Sequence, residues 1–189
     1  MAQTTIITIS GLPGSGKSST GKLLAKKLDY AHFSTGDMMR RLGSERGLDI
    51  TTTNLQNEND RTLDDLVDNE LKRLSQDGDK LVIDSRMAWH FIPKSFSIYL
   101  HLDRAIAADR VLADKHDLTR QASEVISHNK QEYIDNLEAR LASEARRYLK
   151  LYGVNPYDEA NYDLVIDTEQ HSLHEVVDLI ISQFQPKAD

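Results

Sequence analysis

Five short runs of apolar and β-branched residues recur along the chain, and polar or turn-forming residues bound each of them. Each run has the roughly four to eight residues of a strand that is buried on both faces of a parallel sheet. The pattern therefore predicts five strands. They cover residues 5–10, 30–34, 80–85, 97–102 and 162–167.

Between these runs, apolar residues recur every three to four positions, which is the period of an amphipathic helix. Gly153 follows the longest such segment and can end a helix in a left-handed conformation, and Pro156 prevents the helix from resuming. Strands that alternate with helices predict βαβ units, and hence an α/β fold in which a parallel sheet carries helices on both faces. The predicted helices cover residues 17–28, 60–76, 119–152 and 174–184.

The composition is that of one globular domain. The chain has 189 residues, of which 39% are hydrophobic and 28% are charged, and a typical domain has roughly 150 residues. The lack of cysteine excludes zinc fingers, iron–sulfur clusters and thiol nucleophiles. The net charge of −7 argues against a nucleic-acid coat protein. Without a membrane-length apolar run or a signal peptide, we expect a cytoplasmic monomer that binds neither membranes nor nucleic acid.

The first predicted strand runs into a segment that matches the phosphate-loop pattern G-x-x-x-x-G-K-[ST], and a predicted helix follows it. Gly14 and Gly16 allow backbone bends that turn successive N–H groups towards one anion. The helix adds the positive end of its dipole, and Lys17 supplies a movable charge for the β- and γ-phosphates. We expect this segment to bind ATP through Gly11, Leu12, Pro13, Gly14, Ser15, Gly16, Lys17, Ser18 and Ser19.

A magnesium site is expected beside this loop, since Ser18 offers a hydroxyl to Mg²⁺. Mg²⁺ keeps several of its waters and is held by one or two carboxylates, so an acid should stand at the end of a neighbouring buried strand. Asp84 ends such an apolar run. Ser18 and Asp84 are therefore the predicted metal ligands.

Phosphate loops occur in switches, motors and transferases, and the marks of a GTP switch are missing here. No aspartate stands three residues before a glycine, which removes the D-x-x-G element, and residues 129–132 depart from N-K-x-D and fall within a predicted helix. Motor and helicase cores are normally larger. A small phosphotransferase remains, and it predicts a second, arginine-lined pocket because the acceptor is also an anion.

Two arginines follow predicted strands at the carboxyl edge of the sheet, where ligands bind in doubly wound folds. Arg40 lies a little more than one helical turn after Thr35, which can cap a helix, and Arg86 follows Asp84 by two residues. These two arginines are candidates for the pocket that holds the acceptor.

Further basic residues lie on the later helices. Arg140, Glu144 and Arg147 have the spacing of one helix face. Taken alone, this trio is typical of a salt-bridged surface, but beside a phosphate loop it is also a candidate for the acceptor pocket. Arg110 and Arg120 flank a helix junction that is either a solvated hairpin tip or a lid, residues 113–121, that closes over the triphosphate.

In these motifs the chain resembles the nucleoside monophosphate kinases of the P-loop type, and in particular the archaeal-type cytidylate kinases. Residues 34–40 are similar to the segment that holds the acceptor phosphate in adenylate-kinase-type enzymes. The remaining similar segments follow in family order over nearly the whole chain, and they are the phosphate loop and residues 83–86, 88–89, 140–148, 152–153 and 162–168.

The resemblance implies a P-loop NTPase fold with a five-stranded parallel sheet in the order 2-3-1-4-5. It also implies a small excursion at residues 36–78 that binds the monophosphate, and a short lid. The implied reaction is transfer of a phosphoryl group from ATP, with Mg²⁺, to CMP or dCMP. No catalytic base is expected, because the acceptor phosphate is already an anion at neutral pH.

The resemblance also implies roles for individual residues. Lys17, Arg40, Arg86, Arg140 and Arg147 would neutralise the transferring group. Thr35, Gly36, Arg40 and Arg86 would hold the acceptor phosphate, while Arg140, Glu144 and Arg147 would close on the acceptor. Arg110, Arg120, Asp167 and Thr168 would lie near the donor nucleotide.

The chain departs from the family pattern at two positions. Ser85 stands where the family often has glycine, and Met87 stands where bacterial cytidylate kinases place an acid that reads the pyrimidine. The residues alone leave AMP, UMP, shikimate and sugar acids open as acceptors. A nucleotide-binding regulator that has lost transfer is a further alternative, although such a sensor has no need of paired arginines.

Overall fold

The computed structural model of the protein describes residues 5–47, 61–113 and 129–184. Five strands form one sheet in the order β2-β3-β1-β4-β5, and every neighbouring pair is parallel. This architecture confirms the predicted fold class and strand order. The strands are β1 (Ile6–Gly11), β2 (Ala31–Ser34), β3 (Leu81–Asp84), β4 (Phe96–His101) and β5 (Leu164–Asp167).

The described parts of the chain also contain seven α-helices and one 3₁₀ turn, Glu159–Asn161, and the last helix follows the final strand. The predicted helix at residues 17–28 is confirmed, and two others agree to within two residues. The prediction of one continuous helix over 119–152 is wrong at Asn129, which has an extended backbone (φ −150°, ψ 167°) and caps a helix that begins at Lys130. Residues 119–128 lie outside the described segments. The helices are α1 (Lys17–Leu28), α2 (Thr35–Glu45), α3 (Thr62–Asp77), α4 (Ala88–Phe91), α5 (Arg104–Ala113), α6 (Lys130–Tyr152) and α7 (Leu173–Gln183).

The sheet has an apolar core on each face. On one face, Ile9 clusters with Leu24 of α1 and Val177 of α7. On the other face, Ile83 clusters with Leu71 of α3. All five of these side chains are fully buried, and each such burial contributes about 1.5–3 kcal/mol. The two-layered core explains why the strands read as nearly continuous apolar runs rather than as an alternation.

A third, smaller cluster positions α6. Leu137 and Leu141 of α6 are buried together with Leu12 of the loop after β1. This apolar contact holds α6 against the phosphate loop. Gly153, with φ of +73°, ends α6, and its N–H donates to the carbonyl of Leu149 over 3.0 Å, as the sequence predicts.

Parallel strands bring their carboxyl ends to the same edge of the sheet. Asp84 pairs with Ile9 of β1 on one side and with Ser34 of β2 on the other. The last residues of β2 and β3 therefore lie beside Ile9 of β1, two residues before β1 ends and the phosphate loop begins.

The predicted excursion at 36–78 contains α2 and α3, while residues 48–60 lie outside the described segments. The predicted lid at 113–121 also lies outside them beyond its first residue, and so does Arg120. No helix within residues 5–47, 61–113 and 129–184 is both long and apolar enough to cross a bilayer.

Candidate active site

The loop between β1 and α1 bends where its glycines stand. Gly14 and Gly16 have φ of +83° and +85°, a region that side chains with a Cβ rarely adopt. A Cβ on Gly14 would also lie 2.9 Å from the carbonyl oxygen of Ala107 in α5, so only glycine permits this close approach. The Nζ atom of Lys17 donates to the carbonyl of Leu12 over 2.9 Å, which folds the lysine over the loop.

The predicted metal ligands lie in contact with each other. Ser18 Oγ donates to Asp84 Oδ2 over 2.6 Å, and Ser34 Oγ lies 3.4 Å from the same oxygen. Asp84 is 5% exposed. No group of three His, Cys, Asp or Glu side chains in the described segments is arranged to hold a metal. One hydroxyl and one carboxylate fit Mg²⁺, which completes its shell with phosphate oxygens and water.

A cavity of about 670 Å³ opens above the carboxyl edge of the sheet. It brings together most of the residues that the sequence singles out. Gly11, Leu12, Glu144 and Asp167 are absent from its lining, and Arg120 lies outside the described residues. The predicted residues that line the cavity are Pro13, Gly14, Ser15, Gly16, Lys17, Ser18, Ser19, Thr35, Gly36, Arg40, Asp84, Arg86, Arg110, Arg140, Arg147 and Thr168.

The start of α2 differs from the prediction in one detail. The helix is capped by Ser34, whose Oγ accepts from the N–H of Asp37 over 3.3 Å, so the prediction that Thr35 caps it is wrong. Thr35 instead donates its hydroxyl to the carbonyl of Asp84 over 3.3 Å. Arg40, one turn along α2, forms an ion pair with Asp37. The arginine thus lies at the cavity with one acidic neighbour.

Glu144 stands behind the cavity rather than in its wall. It is 3% exposed, and its carboxylate lies 3.0 Å from Nε of Arg86 and 3.0 Å from Nε of Arg140. Tyr157 donates its hydroxyl to the same carboxylate. Burial acts to raise the pKa of Glu144, but the two arginines and Tyr157 outweigh it and lower the pKa to about 2. Glu144 is therefore an anion that holds two guanidinium groups at the cavity.

Arg147 has a different acidic neighbour. Its Nη1 atom lies 3.6 Å from Oδ2 of Asp64 on α3, and its guanidinium lies 5.0 Å from the ring centre of Tyr148. Burial raises the pKa of Asp64 to about 6, against the opposing charge of Arg147. Asp68, one turn further along α3, accepts from the hydroxyl of Tyr152 over 2.7 Å. All of these side chains line the cavity.

Elsewhere in the cavity wall, Arg110 of α5 is hydrogen-bonded to the loop after β5. Its guanidinium donates to the carbonyl of Thr168 over 2.7 Å and lies 3.3 Å from the Thr168 hydroxyl. That hydroxyl donates in turn to the carbonyl of His101. Asp167 instead accepts from the N–H of Glu169 over 2.9 Å, which stabilises the turn and leaves the aspartate out of the cavity.

Sequence reasoning assigned no role in the site to Asp64, Asp68, Tyr152 or Tyr157. The two aspartates lie four residues apart on a predicted helix and so share one face, which is a signal that the sequence contains. Nothing in the sequence indicates that this face is buried against the cavity. Tyr157 follows Pro156 in a loop and carries no local signal at all.

Known proteins are similar to this chain in sequence and in fold. Residues 7–135 match the family model described as an AAA domain. A cytidylate kinase from Haloquadratum walsbyi is 31% identical over 97% of this chain and 93% of its own length. A cytidylate kinase from Methanocella arvoryzae is 33% identical over 87% of this chain and 88% of its own length. A shikimate kinase from Acinetobacter baumannii, solved in complex with shikimate, superposes with a TM-score of 0.59 at 18% identity over 95% of this chain and 92% of that one.

Proposed function

The chain belongs to the cytidylate kinase family and contains an AAA domain, and from this premise we propose that it transfers the γ-phosphoryl group of ATP to the phosphate of CMP or dCMP. The products are ADP and CDP or dCDP. The similarity to known cytidylate kinases confirms the family that the sequence motifs indicate. The shared fold of shikimate kinase, at 18% identity, carries no substrate assignment.

One observation carries the proposal: a phosphate loop and a set of arginines face each other across a single cavity of about 670 Å³. The loop amides and Lys17 suit the triphosphate of the donor. Guanidinium groups suit a phosphate monoester because they donate two parallel hydrogen bonds. Two anion sites in one cavity are what a transferase needs, whereas a regulator that only senses ATP needs one.

In the proposed reaction, an oxygen of the acceptor phosphate attacks the γ-phosphorus of ATP. A new oxygen–phosphorus bond forms, and the bond from that phosphorus to the β–γ bridging oxygen breaks. The electron pair of the broken bond stays on ADP. The attacking oxygen is already anionic, so the side chains have only to orient the two nucleotides and neutralise charge.

Side chains and carbonyl groups of the protein itself hold three of these arginines in place. Arg86 and Arg140 are both held by Glu144, and Arg110 is held by Thr168. Donors that are already fixed stabilise developing charge without reorganising during the reaction. We assign Arg40 and Arg86, with Thr35 and Gly36, to the acceptor phosphate, and Arg140 and Arg147 to the transferring group. Arg110 and Thr168 belong to the donor side.

Ser18 and Asp84 would hold Mg²⁺, which neutralises the triphosphate when it is bound. Because Ser18 already donates to Asp84 over 2.6 Å, the two oxygens lie side by side at the foot of the loop. Ser34 lies near the same carboxylate oxygen and restrains its orientation.

The test is an acceptor panel of CMP, dCMP, UMP, AMP and shikimate in an ADP-release assay, with the product identified by mass spectrometry. We expect CMP or dCMP to give the highest kcat/KM. A higher value for another acceptor would reassign the substrate. ATP binding without ADP release on any acceptor would identify a regulator and overturn the proposal.

A further inference from the structure

Two buried carboxylic acids of α3 line the cavity on the side of α6. Asp64 and Asp68 lie four residues apart and are 6% and 7% exposed, and both face the cavity together with Val67. Aspartate is rarely buried this deeply unless it has a partner. Neither acid has a part in the transfer chemistry proposed above.

The hydrogen-bond partners of the two acids are incomplete. Asp68 Oδ2 accepts from the Tyr152 hydroxyl over 2.7 Å. Asp64 Oδ2 is buried and has no hydrogen-bond partner among the described residues. The nearest cation, Arg147 Nη1, is 3.6 Å away, which is beyond hydrogen-bonding distance. A buried carboxyl oxygen without a donor is costly, and a ligand that brings an N–H group to it would offset this cost.

The surroundings of the acids suit a flat heterocyclic ring. Tyr148 and Tyr152 of α6 line the same cavity, with ring centres 5.9 Å apart, and aromatic side chains commonly stack on nucleobases. Arg147 lies against both Asp64 and Tyr148. The same helix carries Arg140, which belongs to the arginine group around Glu144. The acids therefore adjoin the proposed acceptor site.

The chemistry of a carboxyl group distinguishes two kinds of base. A 4-aminopyrimidine presents an N–H donor beside a ring nitrogen that accepts. The carboxylate oxygen of Asp64 that lacks a donor can accept from the 4-amino group, whereas a 4-oxopyrimidine directs a carbonyl oxygen at it, and two acceptors repel each other. Burial raises the pKa of Asp64 to about 6, so the carboxyl is ionised above that pH and both of its oxygens are acceptors.

We propose that Asp64, supported by Asp68 and Tyr152, reads the base of the acceptor and selects an aminated ring over an oxo ring. This inference rests on the proposed function and adds the residues that set its specificity. Asp68 accepts a hydrogen bond from Tyr152, and Asp64 supplies the oxygen that has no hydrogen-bond donor. Adenine presents the same pair of amino group and ring nitrogen, so the ratio of CMP to UMP is the quantity that these acids control.

The experiment compares D64N with the wild type and measures kcat/KM for CMP and for UMP, together with the Kd of each monophosphate without ATP. Asparagine has nearly the same shape, but its amide can donate to a 4-oxo group. We expect the CMP/UMP ratio of kcat/KM and the corresponding ratio of Kd values to shift by about tenfold or more towards UMP. The KM for ATP should stay unchanged.

The matched control is D65N on the same helix. Asp65 is exposed, pairs with Arg61 over 3.2 Å and does not line the cavity, so D65N should leave both ratios unchanged. An equal loss for CMP and UMP in D64N would overturn the inference, and so would an unchanged ratio. D68N provides a second variant that should shift the ratio in the same direction. If the wild type phosphorylates neither CMP nor UMP, the proposed function fails instead.

Discussion

The Nε atom of Arg86 lies 3.0 Å from Oε2 of Glu144, and the glutamate is almost completely withdrawn from water. Arg86 follows β3 and Glu144 lies in the middle of α6, so this ion pair connects two separate walls of the cavity. Arg140 shares the same carboxylate. One buried anion thus determines where two guanidinium groups stand.

We expect E144Q to weaken the acceptor site and the fold together. Loss of the buried charge leaves Arg86 and Arg140 without their counter-ion, which should lower the free energy of unfolding by about 3 kcal/mol. The acceptor KM should rise by about tenfold or more while the KM for ATP changes little, because Glu144 acts through the arginines. Urea unfolding and steady-state kinetics measure these effects.

The control for E144Q lies on the same helix. Glu138 forms an ion pair with Arg104 over 2.8 Å, but both side chains are about half exposed. E138Q should change the free energy of unfolding by less than about 1 kcal/mol and leave the acceptor KM unchanged. Similar effects of the two substitutions would contradict the central position of Glu144.

K17M should reduce kcat by about a hundredfold or more and leave the protein folded, because the lysine charge acts on the phosphates of the donor. Activity with ATP and CMP measures the first effect, and circular dichroism on heating measures the second. K26M is the matched control, since Lys26 is exposed in the last turn of α1. Near-normal turnover of K17M would show that the phosphate loop is not the donor site.

R40A should impair use of the acceptor selectively. Arg40 lies at the cavity beside Thr35 and Gly36, so its removal should raise the KM for CMP or lower kcat, with little change in MgATP binding. Calorimetric titration with a non-hydrolysable ATP analogue tests the second part. Arg41 is exposed and does not line the cavity, and R41A should behave like the wild type. If R40A affects only the binding of ATP, Arg40 belongs to the donor site and not to the acceptor site.

D84N should raise the Mg²⁺ concentration needed for half-maximal activity by about tenfold or more. Asparagine can still accept the hydrogen bond from Ser18 that Asp84 accepts over 2.6 Å, so the local structure should persist while the metal loses a charged ligand. A Mg²⁺ titration of activity measures the shift, and chelation should abolish activity in both proteins. An unchanged Mg²⁺ requirement would exclude Asp84 as a ligand.

The stability of the protein should depend on the ionisation of Asp64. Its pKa is raised from the usual 3.8 to about 6, chiefly by burial. Between these values the folded chain binds more protons than the unfolded chain, so the contribution of Asp64 to stability falls as the pH rises through this range. D64N removes that titration. The free energy of unfolding of D64N should therefore increase relative to that of the wild type by roughly 2 kcal/mol between about pH 4 and pH 7.

Urea unfolding of both proteins at several pH values across this range measures the effect. D65N serves as the control, because the exposed Asp65 should give a difference that does not change with pH. A constant difference between D64N and the wild type would mean that Asp64 is ionised throughout the range.

Local sequence patterns determined the scaffold of the site. The five strands, the phosphate loop and the pairing of Ser18 with Asp84 were all predictable, because each depends on residues that are close in sequence or on the fixed geometry of parallel strands. The arginines could be recognised as candidates for the same reason. The helix cap shows the limit of such reasoning, since Ser34 and Thr35 are both good capping residues and the end of β2 decides between them.

Only the tertiary structure decided which side chains stand behind the arginines. Side chains of α6 contact Arg86 after β3 and Asp64 of α3, in the pairs Glu144–Arg86 and Arg147–Asp64, and Tyr157 reaches Glu144 from a loop. These contacts join residues that are far apart in sequence. The altered pKa values of Glu144 and Asp64 arise from burial and from those partners. No periodicity or motif encodes them, because desolvation and charge pairing exist only after the separate elements have packed together.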